Sequence, residues 1–238
     1  MTPTIIVSHG QPSDPGPQQQ AVEALADRVA QVSGRQVIGA TLAQPGALED
    51  AVARAPDALV YPMFMAAGWF TGTELPRRLA AAGATNPRIH APFGLDPTLP
   101  ALCMNQIAEA AAAQGWQTSQ VTLLLIAHGS QRARGSAKGT EAMAELLRLR
   151  LGKVVTGYIE EAPFLTDAAR DIGPQAIALP FFATQAEHVL EDIPQGLAEA
   201  GFDGPCLPPI GLAAGVPALI AAAINRAEAV IASGQPPN

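Results

Sequence analysis

The sequence predicts an α/β fold built from two similar halves, each with a parallel sheet covered by helices. Short apolar runs alternate with longer segments rich in Ala and Leu at helical spacing, which is the pattern of such a sheet. The run at 121–127 is apolar throughout, as expected for a strand buried on both faces. In addition, several short patterns occur twice, about 118 residues apart, which indicates an internal duplication.

The duplication extends along the whole chain, and the offset between matched patterns changes by two residues from the first pattern to the last. The matched patterns are His9-Gly10 with His128-Gly129 at an offset of 119, DALVYPMF with QAIALPFF at 118, and PFGLDPTLPAL with PIGLAAGVPAL at 117. A polar stretch at 115–120 separates the copies, so we expect halves of 1–118 and 119–238, each the size of a small α/β domain.

The second half shows the alternation of strands and helices most clearly. We expect strands near 121–127, 153–159, 175–182 and 205–210, with helices near 137–150, 163–172, 192–200 and 215–232. Because this order is strand, helix, strand, helix, the strands are predicted to run parallel.

Charge and cysteine content restrict the class of protein. The formal charge is −7, from 14 basic and 21 acidic residues, which argues against a general binder of nucleic acid or of anionic membranes. Cys103 and Cys206 are isolated, which indicates neither a disulfide framework nor a zinc knuckle. The most apolar tract, 207–224, is interrupted by prolines, so we expect a cytoplasmic protein with no membrane span.

Three predicted strand ends of the second half carry side chains that can bind a metal. His128 follows the first strand, Glu160 and Glu161 follow the second, and His188 lies beyond the third. Ligands of an open parallel sheet bind at the carboxyl ends of its strands, so these side chains can meet. Two imidazoles and one carboxylate suit a divalent first-row metal and leave positions open for a substrate. Either glutamate can supply the carboxylate.

Each of these residues also has an ordinary structural explanation. A histidine at a strand end is often a hydrogen-bonded core or capping residue, and paired glutamates before a proline often belong to a helix start. The basic cluster behind His128, namely Arg132, Arg134 and Lys138, can be a solvated loop. Their joint placement in one half is what favours a site.

The two halves differ in these residues. At an offset of 118, Phe70 occupies the position of His188, while Leu42 and Ala43 occupy those of the two glutamates. The loop after His9 has no basic residue. Metal ligands and cations are therefore missing together from one half, which predicts an active site in the second half and a degenerate site in the first.

The motifs AHGS at 127–130 and HVLEDIP at 188–194, with a strand ending in Glu ahead of Pro163, resemble the sirohydrochlorin chelatases. These are the ATP-independent class II chelatases of cobalamin and siroheme synthesis, here in a two-copy, single-chain form. The resemblance implies a chelatase-like fold of two flavodoxin-like halves facing a central cleft. The family glutamate usually lies four residues before the proline, where this chain has Ile159, whereas Glu160 lies three before it.

The resemblance also implies an activity, the insertion of cobalt(II) or ferrous iron into sirohydrochlorin. His128 and His188 would hold the ion, and Glu160 would ligate it or receive a proton. Gly129, Ser130, Arg132 and Arg134 would bind the carboxylates of the tetrapyrrole. The metal is then a substrate, no organic cofactor takes part, and two fused copies make a monomer sufficient. A metal or tetrapyrrole carrier without catalysis is the alternative, followed by a non-catalytic structural partner.

Overall fold

The computed structural model describes residues 2–129, 135–185 and 187–232. The strands are β1 (Thr4–Ser8), β2 (Val37–Thr41), β3 (Leu59–Pro62), β4 (Arg88–Ile89), β5 (Thr122–Ala127), β6 (Lys153–Tyr158) and β7 (Ala176–Pro180). The helices are α1 (Pro15–Ser33), α2 (Ala47–Arg54), α3 (Leu75–Ala81), α4 (Leu99–Ala113), α5 (Gly135–Arg148), α6 (Leu165–Ala169), α7 (Glu187–Leu190), α8 (Asp192–Glu199) and α9 (Val216–Ala232). A π-helical turn at Phe70–Glu74 precedes α3.

All strand pairs in the described residues are parallel, and they form two sheets. One sheet has the order β2-β1-β3-β4 and the other has the order β6-β5-β7. The first strand of each half is central, and its side chains are almost entirely buried, as its apolar sequence predicts. This confirms the predicted fold class of two repeated α/β halves.

One predicted strand is reduced to a single bridge. The stretch near 205–210 pairs with β7 only through Ala178 and Cys206, so the described part of the second sheet has three strands. Pro205, Pro208 and Pro209 lack backbone N–H groups and cannot continue a ladder of hydrogen bonds. The prediction of a full strand at this position was wrong.

A glycine in each half fixes the loop that follows the third strand. Gly94 donates its N–H to the Phe64 carbonyl at 2.9 Å, and Gly211 donates to the Phe182 carbonyl at 3.0 Å. A Cβ atom at either glycine would lie 1.9 Å from a carbonyl oxygen of that loop. Only glycine permits this close approach, which explains why the motif with Gly-Leu recurs in both halves.

The compact units of the chain do not follow the sequence repeat. One unit contains the residues up to Asp96 together with those from Ala214 onward, and the other contains Pro97–Ala213. Helix α4 therefore belongs to the unit of the second sheet, and α9 belongs to that of the first. Within the first unit, Arg226 of α9 donates to the Asp96 carboxylate at 2.8 Å. The last helix of each sequence half thus packs in the other half's unit.

No helix in the described part of the chain is long and apolar enough to cross a membrane.

Candidate active site

His128 lies directly after β5, with 38 % of its side chain exposed. Its Nδ1 is 3.1 Å from the carbonyl oxygen of Gly129. A carbonyl can only accept a hydrogen bond, so Nδ1 is the donor in this contact. Metal-binding histidines commonly have this arrangement, in which one ring N–H is held by a carbonyl or carboxylate and the other nitrogen binds the ion.

Glu160 lies beside His128. Its backbone N–H donates to the His128 carbonyl at 2.9 Å, and its Oε2 is 3.6 Å from Nδ1 of the ring. The carboxylate is 44 % exposed, so it remains accessible to an incoming ion. The structure therefore brings together two of the residues that the sequence singled out.

Glu161 packs close to the backbone that follows His128. A Cβ atom built on Gly129 would lie 2.9 Å from Cγ and 3.0 Å from Oε1 of Glu161. Gly129 is buried and has a φ of 74°, a conformation that L-residues rarely adopt. The glycine of the HGS motif is needed for this turn and for the space that the Glu161 side chain occupies.

A hydrogen-bonded group behind the site has no clear signal in the sequence. Glu141 of α5 accepts hydrogen bonds through Oε1 from the hydroxyls of Thr156 and Tyr158, each at 2.7 Å. Burial and the hydrogen bond to Glu141 raise the pKa of Tyr158 above its ordinary value. The neutral phenol therefore ties the end of β6 to α5, which begins at Gly135.

The remaining predicted site residues are less fully described. The backbone of His188 lies in α7, but its side chain is outside what the structure describes. Ser130, Arg132 and Arg134 lie outside the described residues, and Lys138 is exposed on α5. Among the described residues, no group of three or more His, Cys, Asp or Glu side chains could hold a metal ion.

The first half shows what occupies the equivalent positions there. The ring of His9 packs edge-to-face against Phe70, with 4.6 Å between ring centroids. Its Nδ1 donates to the Gly10 carbonyl at 3.0 Å, as His128 does to Gly129. The backbone setting of the two histidines is therefore the same, and Phe70 stands beside His9 at the position that His188 has in the second half at an offset of 118.

Strand register refines the comparison of the two halves at the glutamates. Ser8 pairs with Thr41, and its counterpart Ala127 pairs with Tyr158. Thr41 and Tyr158, at the ends of β2 and β6, are therefore equivalent, and their offset is 117. Glu160 then corresponds to Ala43, rather than to Leu42 as the offset of 118 gave. The following prolines, Pro45 and Pro163, match at 118, so the second half has one extra residue in this loop. Under either alignment, the counterpart of Glu160 in the first half is apolar.

Comparison with known proteins gives one family. The CbiX family model matches residues 3–110 and 122–227, which is most of both halves. A solved structure described as CbiX, the terminal enzyme for biosynthesis of siroheme in denitrifying bacteria, is 55 % identical. The match covers 94 % of this chain and 98 % of that chain, with a TM-score of 0.87.

More distant structures share the fold. SirB from Bacillus subtilis with Fe3+ is 16 % identical, with a TM-score of 0.74 over 99 % of this chain and 98 % of that chain. The sirohydrochlorin chelatase SirB from Bacillus subtilis subspecies spizizenii, in complex with cobalt, is also 16 % identical. Its TM-score is 0.67 over 97 % of each chain. The comparison with curated proteins gave no match.

Proposed function

The chain belongs to the CbiX family, and we propose that it inserts a divalent metal, cobalt or ferrous iron, into sirohydrochlorin in tetrapyrrole biosynthesis. The observation that carries this proposal is the 55 % identity to a siroheme biosynthesis enzyme over 94 % of the chain. Both halves of that protein are therefore present here. Because cobalt and iron both accept imidazole and carboxylate ligands, the site chemistry does not select between them.

His128 is the proposed first ligand of the incoming ion. Its Nδ1–H is directed at the Gly129 carbonyl, so in the neutral imidazole Nε2 is the nitrogen that would bind the ion. Neutral imidazole binds first-row divalent ions well and does not require a proton to be released first. The Gly129 carbonyl thus fixes both the tautomer and the orientation of the ligand.

His188 is the proposed second ligand, and the internal repeat supports its position. Phe70 corresponds to His188 at an offset of 118, and this offset is unbroken from Pro62 and Pro180 to Pro76 and Pro194. In the first half, Phe70 contacts the histidine after the central strand at 4.6 Å. By the repeat, His188 is the residue that we propose to act together with His128.

Glu160 is the proposed carboxylate of the site. Metal insertion forms bonds from the ion to the macrocycle nitrogens and releases two N–H protons. Glu160, at 3.6 Å from the imidazole and partly exposed, can ligate the ion or accept one of these protons and pass it to solvent. Glu161 is the competing candidate, but its side chain packs across Gly129.

Substrate binding completes the proposal. Arg132 and Arg134, outside the described residues, would contact carboxylates of the macrocycle, together with Ser130 and the backbone at Gly129. The metal is a substrate, and we propose that no organic cofactor takes part. Since the chain carries both copies of the repeat, we propose that it acts as a monomer. We also propose that it acts in the cytoplasm.

Replacing His188 tests the function and its site together. We expect His188→Ala to abolish metal insertion in an absorbance assay with sirohydrochlorin and Co2+, because the ion loses one of its two imidazoles. His90→Ala is the control, since this histidine stacks on Tyr61 in the first half, at 5.2 Å, and should keep its turnover. Full turnover by His188→Ala would contradict the assignment. A wild-type chain that binds the metal complex but does not speed its formation would be a carrier.

A further inference from the structure

Four aromatic rings lie together at the carboxyl edge of the first sheet, in the half that lacks the metal ligands. They belong to His9, which follows β1, and to Phe64, Trp69 and Phe70, which follow β3. Ring centroids are 4.6 Å apart for His9 and Phe70, 5.1 Å for Trp69 and Phe70, and 6.3 Å for Phe64 and Phe70. We refer to these four residues as the Trp69 surface, because Trp69 is its most open member, with 62 % exposure.

We propose that the Trp69 surface binds the flat face of the tetrapyrrole substrate, with Trp69 as the stacking residue. This inference rests on the proposed function. It assigns to the first half a part in substrate binding.

The backbone around Trp69 is held by local hydrogen bonds. The Gly68 N–H donates to the Thr71 hydroxyl at 3.0 Å, and that hydroxyl is 3.2 Å from the Gly68 carbonyl. The Gly72 N–H also donates to the Gly68 carbonyl, at 2.8 Å. Trp69 is therefore exposed within a hydrogen-bonded turn and adjoins Phe70, and an exposed patch of neighbouring apolar side chains is one mark of a binding surface.

The internal repeat indicates which ligand this surface receives. Trp69 and Phe70 correspond to Glu187 and His188 at the offset of 118. The first half thus has an indole and a phenyl ring where the second half has the proposed metal ligand. Both positions follow the third strand at the carboxyl edge of a parallel sheet, where substrates of such folds bind.

The chemistry of the surface fits a planar conjugated ring. Residues 63–73 contain no charged side chain, so Phe64, Trp69 and Phe70 offer aromatic rings and no ion-pair partner for the carboxylates of a tetrapyrrole. Indole and phenyl rings instead favour offset or edge-to-face packing against another π-system. A macrocycle with charge at its rim and an apolar centre has a face that matches this surface.

The test is substrate binding by three variants, measured without metal. Sirohydrochlorin is titrated into each protein by calorimetry, and KM and kcat are measured separately with Co2+. We expect Trp69→Leu to raise Kd and KM about 10-fold, the scale of one lost stacking contact, with a much smaller change in kcat. Trp69→Phe should recover most of the affinity because it restores an aromatic ring. Trp116→Phe, which changes the other of the two tryptophans, should behave as wild type.

The outcomes separate this proposal from the proposed function. Wild-type affinity in Trp69→Leu would overturn the Trp69 surface and leave metal insertion intact. Binding that depends on Trp69 in a chain without turnover would support the surface and overturn the enzyme. If sedimentation shows a wild-type dimer that Trp69→Leu converts to a monomer, the surface joins two copies of the chain and the proposal is overturned.

Discussion

His9 and His128 have the same backbone setting but different neighbours. Each ring donates from Nδ1 to the carbonyl of the following glycine, at 3.0 Å in the first half and 3.1 Å in the second. His128 then has the Glu160 carboxylate at 3.6 Å, whereas His9 has the phenyl ring of Phe70 at 4.6 Å. The histidine after the central strand therefore has a carboxylate beside it in the second half and an aromatic ring beside it in the first.

This contrast predicts different effects of the same substitution. We expect His128→Gln to lower the rate of metal insertion about 100-fold or more, because the ion loses a direct ligand. His9→Gln should keep most of the kcat and raise KM, because His9 belongs to the Trp69 surface. The measurement is steady-state turnover with Co2+ and sirohydrochlorin. Equal losses of kcat in the two variants would mean that both halves share one metal site.

At the scale of elements, the π-helical turn and α3 of the first half are joined by an ion cluster. Glu74 is buried, and its carboxylate accepts hydrogen bonds from Arg77 at 2.8 and 2.9 Å and from Arg78 at 2.7 Å. Arg78 also donates to the Leu42 carbonyl, in the loop after β2. The cluster thus ties the segment that carries Trp69 and Phe70, which follows β3, to the loop after β2.

The cluster predicts a pH-dependent stability. Hydrogen bonds from Arg77, then from Arg78, lower the pKa of Glu74 from 4.5 to about 2. A lowered pKa in the folded state gives stability that is complete above the unfolded value and is lost as pH falls from about 4.5 towards 2. Glu74→Gln should therefore lower the urea midpoint at pH 7, and the difference from wild type should shrink across that acid range.

Glu23→Gln is the control for the Glu74 experiment. It makes the same change of charge at an exposed position in the middle of α1, and glutamine keeps an oxygen that can accept the hydrogen bond from Gln19, so its urea midpoint should stay close to wild type at every pH. If the difference in urea midpoint between wild type and Glu74→Gln stayed constant as the pH fell, the ion cluster would not be the cause of that difference.

At the scale of the whole molecule, the sequence repeat and the compact units give different divisions of the chain. The repeat places the boundary between 118 and 119, after α4. The compact units place α4 with the second sheet and α9 with the first. In the first unit, α9 is held by the bond from Arg226 to the buried Asp96 and by an ion pair between Glu228 and Arg35.

Fragments of the chain distinguish the two divisions. We expect residues 97–213 to unfold cooperatively on heating, because this fragment keeps α4 with its sheet. Residues 119–238 should melt at a lower temperature and with a broader transition, because this fragment lacks α4 and carries an α9 without its partners. Circular dichroism melts of both fragments provide the comparison. A higher melting temperature for 119–238 would favour the sequence repeat as the folding unit.

Local patterns of residues are enough to predict the fold class, the duplication and the strand-end positions of the candidate ligands. Buried parallel strands need continuous apolar runs, and the residues after such strands lie at one edge of a sheet. The positions of His128 and Glu160 at the ends of two neighbouring strands therefore follow from the amino-acid sequence.

Other features depend on contacts between distant parts of the chain. Two of them concern whole elements: α4 packs with the second sheet and α9 with the first, and the strand expected near 205–210 is reduced to one bridge. The others concern side chains and register: the Glu141–Tyr158 hydrogen bond, the packing of Phe70 on His9, and the one-residue shift that aligns Glu160 with Ala43. A helix that follows a sheet has the same amphipathic pattern whichever sheet it covers, so its sequence does not reveal its partner. Contacts between side chains on distant loops and strands likewise leave no periodicity in the sequence, because each depends on where the fold brings the two residues.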